Sequence, residues 1–231
     1  LFHPSLSSFY SKNSIVSFYK SFKSLRGLVA SPLTIIWRDI VSNHFLSADY
    51  GKTTNLKGTG KFHSVSATEK TPESLEDLTK ILQQAKINKK KIALVGGGYS
   101  QGAIALPPDN MIRINLKKLP NIYDVKIDPS NKIVRVGALA NWAAIQKEAD
   151  KHKLSVQVMQ ASNVFSVAGS LGINCHGWDH NLGTLSQTVK KITYMNSSGV
   201  VRTISPKDTM FQYIVGGLGL SGVILAVEIE L

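Results

Sequence analysis

Over residues 71–86, TPESLEDLTKILQQAK, apolar side chains recur at Leu75, Leu78, Leu82 and Ala85. Steps of three and four put them on one stripe of an α-helix. Thr71 is the expected N-cap, with Pro72 at the first helical position and acids in the first turn. The period then shortens. KIALV (91–95) reads as a buried strand, and MIRINL (111–116), IYDVKI (122–127) and KIVRVG (132–137) as three further strands, divided by turn residues such as Asp128, Pro129, Ser130 and Asn131. Helical spacing returns in NWAAIQKEADKHK (141–153), with Asn141 as cap and Trp142, Ile145 and Ala149 inward. The final VILAVEIEL (223–231) ends in strand-like alternation. This order predicts an α+β fold with a mixed sheet rather than strict β-α-β alternation.

Two stretches break the apolar pattern with small residues. ALVGGGYSQG (93–102) sets three consecutive glycines at the end of a strand, where the missing Cβ admits a ligand to the backbone or allows φ > 0. In QASNVFSVAGSLGINCHG (160–177), Ala168, Gly169, Ser170, Gly172 and Gly177 crowd a segment otherwise apolar. Such density marks backbone close to another body, either a ligand or a tightly packed strand and helix.

Neither stretch meets a standard nucleotide motif. From Gly96 the sixth position is Gln101, not glycine, and no G-K-[ST] follows. GLGLSG (217–222) does match G-x-G-x-x-G letter for letter, but that fingerprint needs a helix after the glycines, and a strand is expected here. Neither a dinucleotide fold of the Rossmann type nor a P-loop is supported.

Composition narrows the partners. The chain has 231 residues, 43% of them hydrophobic, enough to bury a core as one large or two small domains. A formal net charge of +12 and a pI near 9.7 favour an anionic partner: a phosphorylated cofactor, a membrane surface or nucleic acid. The charge is diffuse, and Lys89, Lys90 and Lys91 form the only basic triplet, without interleaved aromatics, so a solvated rim is favoured over a nucleic-acid site. The single cysteine, Cys175, excludes an internal disulfide and a cysteine zinc cluster and fits a reducing, cytoplasmic setting.

Residues 1–60 form a basic, serine-rich extension whose only acids are Asp39 and Asp49. Residues 1–45 suit either a membrane-surface or transit segment or an extension packed on the domain. The run LVASPLTIIW (28–37) is too short to span a bilayer and is interrupted by Pro32. The chain opens on Leu1 and closes on Leu231 in a strand-like segment, so a longer parent is expected.

The order GGGYSQG, then ASNVFSVAGSLGINCHGWDHNLGTLSQTV, then SGVVRTISPKDTMFQYIVGGLGLSGVILAVEIEL resembles the FAD-binding domain of the vanillyl-alcohol-oxidase, or PCMH-type, flavoenzymes. The nearest branches are the sugar-lactone oxidases and the decaprenylphosphoryl-ribose oxidases. The resemblance covers residues 61–231. It implies two α+β subdomains, about 61–118 and 119–231, with FAD between them.

By this resemblance Gly96, Gly97, Gly98, Tyr99, Ser100, Gln101 and Gly102 would wrap the FAD pyrophosphate with backbone amides, an anion nest that needs neither helix nor lysine. Ala161, Ser162, Asn163, Val167, Gly169 and Ser170, followed by Gly172, Ile173, Asn174, His176 and Gly177, match the motif lining the pyrophosphate, ribityl and isoalloxazine region. Gly222, Val223 and Ile224 match the adenine side. Many relatives carry a histidine in the first loop, bonded covalently to the flavin; Tyr99 stands there in this chain, so noncovalent FAD is expected. Cys175, His176, Asp179 and His180 lie within six residues, but Gly177 weakens a helical ligand pair and no distant partners are evident, so a metal site is not expected. His176 is expected against the flavin ring.

The implied activity is oxidation of a CH–OH group of a sugar, lactone or related alcohol, with hydride passing to FAD. The base and most substrate contacts fall to a C-terminal substrate domain, or a partner chain, outside this sequence, so no catalytic residue is assigned. Two alternatives stay open: an FAD-binding module without turnover, and a basic nucleic-acid or membrane-surface binder, which would be colourless and salt-sensitive.

Overall fold

The computed structural model describes residues 56–57, 64–65, 68–100 and 111–231. Expectations for residues 1–45, for most of the 1–60 extension, and for Gln101 and Gly102 lie outside the described residues.

Strand β1 (Leu56–Lys57) pairs antiparallel with β2 (Ser64–Val65). Next come β3 (Thr68–Lys70), helix α1 (Leu75–Ile87), β4 (Ile92–Val95) and β5 (Ile112–Asn115), whose strands form a parallel sheet in the order β3-β5-β4. The helical crossover between β3 and β4 gives the chain the length to return parallel. Inside this sheet Glu69 faces Arg113 across the β3–β5 ladder. Their side chains are nearly fully buried, with Oε2 and Nε 3.4 Å apart, while Asn115 Nδ2 donates to Glu69 Oε1 at 3.3 Å. A slipped register would separate these buried charges from each other.

Helix α1 starts three residues later than the sequence suggests. Its N-cap is Ser74, not Thr71: Ser74 Oγ accepts from Asp77 N at 3.0 Å, and Asp77 Oδ2 reaches back to Glu73 N at 3.4 Å. Leu78, Leu82 and Ala85 are buried as expected, whereas Leu75, now in the first turn, is 45% exposed. The helix ends with Lys89 at φ 50°, where Lys89 N donates to Lys86 O and Lys90 N to Ala85 O. That is a Schellman closure built with lysine where glycine is usual.

Strands β6 (Val125–Asp128) and β7 (Ile133–Gly137) form a hairpin, and helix α2 (Trp142–Asp150) follows. Asn141 Oδ1 caps α2 by accepting from Ala144 N at 2.8 Å, and Trp142, Ile145 and Ala149 are buried, as the spacing predicts. Helix α3 (Val167–Gly172), a 3₁₀ turn (Leu185–Gln187), β8 (Val189–Met195), β9 (Val201–Ile204), helix α4 (Thr209–Ile214) and β10 (Val223–Glu230) complete the chain. The second sheet is wholly antiparallel, in the order β6-β7-β10-β8-β9.

The expected mixed sheet is instead a parallel sheet and a separate antiparallel sheet, beside the small β1–β2 pair, among the described residues. β3 and β4, which α1 connects, each pair in parallel with β5 between them; β6–β7 and β8–β9 are hairpins with short turns, the distant β10 pairs antiparallel between them, and no strand belongs to both sets. Val134, Val136, Ile192, Tyr194, Val227 and Ile229 of the large sheet share one core with Trp142, Ile145, Leu171, Phe211 and Ile214 of the helices. Among the described residues no helix is long and apolar enough to cross a membrane.

Candidate functional site

Three loops meet at α3. The first leaves β4 as Gly96, Gly97 and Gly98, and Gly97 N donates to Ser166 Oγ at 3.1 Å, across 69 residues of chain. Close approach requires glycine at 96: a Cβ there would lie 2.7 Å from Ser166 Oγ. Gly98 then turns with φ 79°, a left-handed conformation that L side chains seldom adopt. Tyr99 follows, its ring 6.0 Å from Phe165 and perpendicular to it.

The second loop is held from below. Val167 N donates to Ala140 O and Ala168 N to Ala138 O, so the first amides of α3 are bound to the connection between β7 and α2. Asn163 O in turn accepts from Ala143 N of α2. Ser166, the N-cap residue, makes no side-chain cap bond, because its hydroxyl faces Gly97. Past the helix, Asn174 adopts φ 48° and its Oδ1 accepts from Ser186 N at 3.1 Å, while Cys175 O accepts from Leu185 N. These bonds tie residues 174–176 to the 3₁₀ turn, and His176 bridges to Thr184.

The third loop closes the end of α3. Gly216 N donates to Leu171 O and Leu218 N to Gly172 O, each at 3.0 Å, supplying partners for carbonyls that end a helix. Gly219 passes beside Leu94 of β4, so the third loop returns to the strand that carries the first. After Gly222 the chain enters β10 and not a helix. GLGLSG accordingly lacks the helix N-terminus that its dinucleotide reading requires, as the sequence predicts.

Within this junction the candidate residues divide by exposure. Gly97, Ala161, Asn163, Gly169, Ile173 and His176 are exposed, and Gly96, Gly98, Tyr99, Ser100, Ser162, Asn174, Gly177 and Gly222 are half-buried. Val167, Ser170, Gly172, Val223 and Ile224 are buried in protein. Ser170 is 0% exposed and its hydroxyl is fully engaged: it accepts from Trp142 Nε1 at 3.0 Å and lies 2.7 Å from Gln160 Oε1 and 2.9 Å from Ser166 O. A role for Ser170 is therefore structural support rather than direct contact. Ser166, Phe165, Trp142 and Gln160 escape the sequence reading. Ser166 gave no sign in the sequence, because the helix it precedes reads as a loop and its partner in the first loop leaves no local trace.

Burial pushes the Cys175 thiol up to about 11 from its ordinary 9.0, against weaker opposition from hydrogen bonds with Gln160 and Ser170. Cys175 is thus a neutral, buried thiol near pH 7, unlike a reactive cysteine. His176 Nδ1 sits 3.0 Å from Gly177 O. Asp179 Oδ1 accepts from Asn181 N and Nδ2, which engages this carboxylate in its own turn.

The residues present fit FAD. Gly97 and Gly169 are exposed beside Ser166 and carry no side chain, so an anion such as a pyrophosphate can approach the backbone there. Apolar groups at the edge of the junction, Ile173 and Leu218, are exposed and flat ring systems bind to such surfaces.

Comparison with known proteins agrees with this geometry. The profile of a family described as FAD binding domain matches residues 69–205. L-gulonolactone oxidase of Bos taurus is 29% identical over 161 residues, which are 69% of this chain and 36% of that protein. Decaprenylphosphoryl-beta-D-ribose oxidase of Mycolicibacterium smegmatis is 27% identical over 184 residues, 78% of this chain and 39% of that protein. Among solved structures, a histidine-to-alanine mutant of cholesterol oxidase from Brevibacterium sterolicum superposes with a TM-score of 0.66 at 21% identity, over 78% of this chain and 37% of that one. The fold is α+β of the PCMH type. The chain spans well under half the length of the relatives it matches.

Proposed function

The chain belongs to the FAD binding domain family, and on that premise we propose that it is the flavin-holding part of an oxidoreductase acting on the CH–OH group of a sugar, lactone or related alcohol. The names of its relatives, a sugar-lactone oxidase and a sugar-phosphate oxidase, support that donor class. Bound FAD supplies the acceptor for the hydride that leaves the alcohol carbon.

This chain's own part is binding and orientation. Gly96, Gly98, Tyr99 and Ser100 hold the pyrophosphate through backbone groups; Gly97 joins their loop to Ser166. Ala161, Ser162, Asn163, Gly169, Ile173, Asn174, His176 and Gly177 line the path toward the ring, and Gly222 marks the adenine side. Tyr99 stands where many relatives carry the histidine bonded to the flavin, and a phenol does not routinely replace that imidazole, so the cofactor is noncovalent. The base that takes the alcohol proton belongs to a substrate domain or partner chain.

The observation that carries this reading is the hydrogen bond from Gly97 N to Ser166 Oγ. It brings the glycine loop onto the small-residue segment, two features that charge or patterning alone would not join. The test is to purify the chain with FAD, precipitate it with acid and read the flavin absorbance of pellet and supernatant. Yellow supernatant is expected. A yellow pellet would overturn the noncovalent assignment, and a colourless protein that takes up no FAD would overturn the proposal.

A further inference from the structure

Beneath α3 lies a buried polar group of side chains that no cofactor contact explains. Trp142 Nε1 donates to both Ser170 Oγ and Gln160 Oε1, each at 3.0 Å. Ser170 Oγ also approaches Gln160 Oε1 at 2.7 Å and Ser166 O at 2.9 Å. Trp142 and Ser170 are both 0% exposed. An alanine methyl could stand at 170 without burying a hydroxyl, yet the position carries one and meets the Trp142 N–H with it. This polarity therefore points to a requirement for orientation.

The place of the group says what is oriented. Six residues are too few for a helix to hold its own position. The carbonyls of Ala138 and Ala140 fix the first turn of α3, and Trp142 with Gln160 fixes its buried side through Ser170. Ser166 receives that constraint at its carbonyl and passes it on at its hydroxyl, which accepts Gly97 N–H. One chain of hydrogen bonds thus runs from the core at Trp142 to the glycine loop.

We infer that Trp142, Gln160 and Ser170 are positioning residues for FAD, acting through Ser166 to hold the glycine loop and α3 in the spacing that the pyrophosphate requires. This rests on the flavin reading above. None of the three touches the cofactor; they set the separation of the two segments that do.

The test uses W142F, S170A and the double variant, each compared with the unaltered chain in three measurements. These are FAD titration by quenching of flavin fluorescence, visible circular dichroism of the bound flavin, and amide hydrogen exchange without FAD. Loss of one neutral hydrogen bond corresponds to a rise in Kd of about tenfold or less. Each single variant is expected to show that rise with an altered flavin dichroism, and the double variant to fall short of the product of the two, because both cut one chain. Without FAD, exchange at Val167, Ala168 and Gly97 is expected to speed up while α1 is unchanged. Variants that bind FAD with unaltered Kd and dichroism would overturn the positioning role even if their Tm falls. If the unaltered chain binds no FAD, the flavin reading fails and this role with it; if it binds and the variants match it, only the positioning role fails.

Discussion

Gly96 and Ser166 make the sharpest residue-scale prediction, because the obstacle to a side chain at 96 is a single atom. In G96A the new Cβ meets Ser166 Oγ at 2.7 Å, whereas its next neighbours, in Gly169, are 3.8 Å away. Forcing the loops apart by this overpacking costs about 1–3 kcal/mol, so the Kd for FAD is expected to rise about fivefold or more. S166A loses the bond to Gly97 and is expected to weaken binding about tenfold or less. Because S166A also removes the clashing atom, G96A/S166A is expected to bind FAD more tightly than G96A alone, which fluorescence titration reads directly; equal or weaker binding would show that the clash is not the cause. A second residue-scale prediction concerns Cys175. Its folded thiol is held neutral up to about pH 11, and an unfolded thiol ionises near its ordinary 9.0, so the unfolded state releases its proton first. That contribution to stability is complete below pH 9 and declines as pH rises toward 11. Denaturant midpoints for the unaltered chain and C175A, followed over this range, are expected to converge as the pH rises.

At the scale of elements, periodicity reveals what a segment is and conceals where it begins. Asn141, Trp142, Ile145 and Ala149 read correctly because cap, first turn and buried face all coincide in one local pattern. Thr71 and Ser74 are both acceptable caps by residue type; the carboxylate three residues on, Asp77, distinguishes Ser74, and the structure uses it. S74A is expected to cost about 1 kcal/mol and to lower Tm by about 2–4 °C, with T71A near neutral in the same thermal scan. Sheet membership was not legible at this scale, since a strand's sequence does not name its neighbours. The parallel set places β5 between the two strands that α1 connects, the antiparallel set places the distant β10 between two hairpins, and only pairing across the fold shows either. Helix α3 was hidden for a different reason. Its small residues mimic a loop, and tertiary bonds from Ala138, Ala140 and Trp142 hold it where helix propensity would not.

For the molecule as a whole, order along the chain carried more information than charge. A net charge of +12 fits phosphate, membrane or nucleic acid equally, whereas the three ordered motifs indicated a flavin domain, and the family match over residues 69–205 agrees. What remained illegible was the junction itself: β4, the segment 160–177 and the loop 216–222 lie far apart in sequence and are joined by Gly97 to Ser166, Leu171 to Gly216 and Gly172 to Leu218. Trp178 and Leu220 are each 86% exposed near these loops, and fragments containing them are expected to gain protection if a substrate domain or partner chain is added, a comparison that amide exchange can make. The central claim is that FAD occupies this junction. Amide hydrogen exchange of the purified chain with and without FAD tests it most directly. Slowed exchange is expected in the fragments containing 96–100, 161–177 and 216–222, with the 128–132 turn unchanged. Protection absent from the first two fragments while FAD is bound would contradict it.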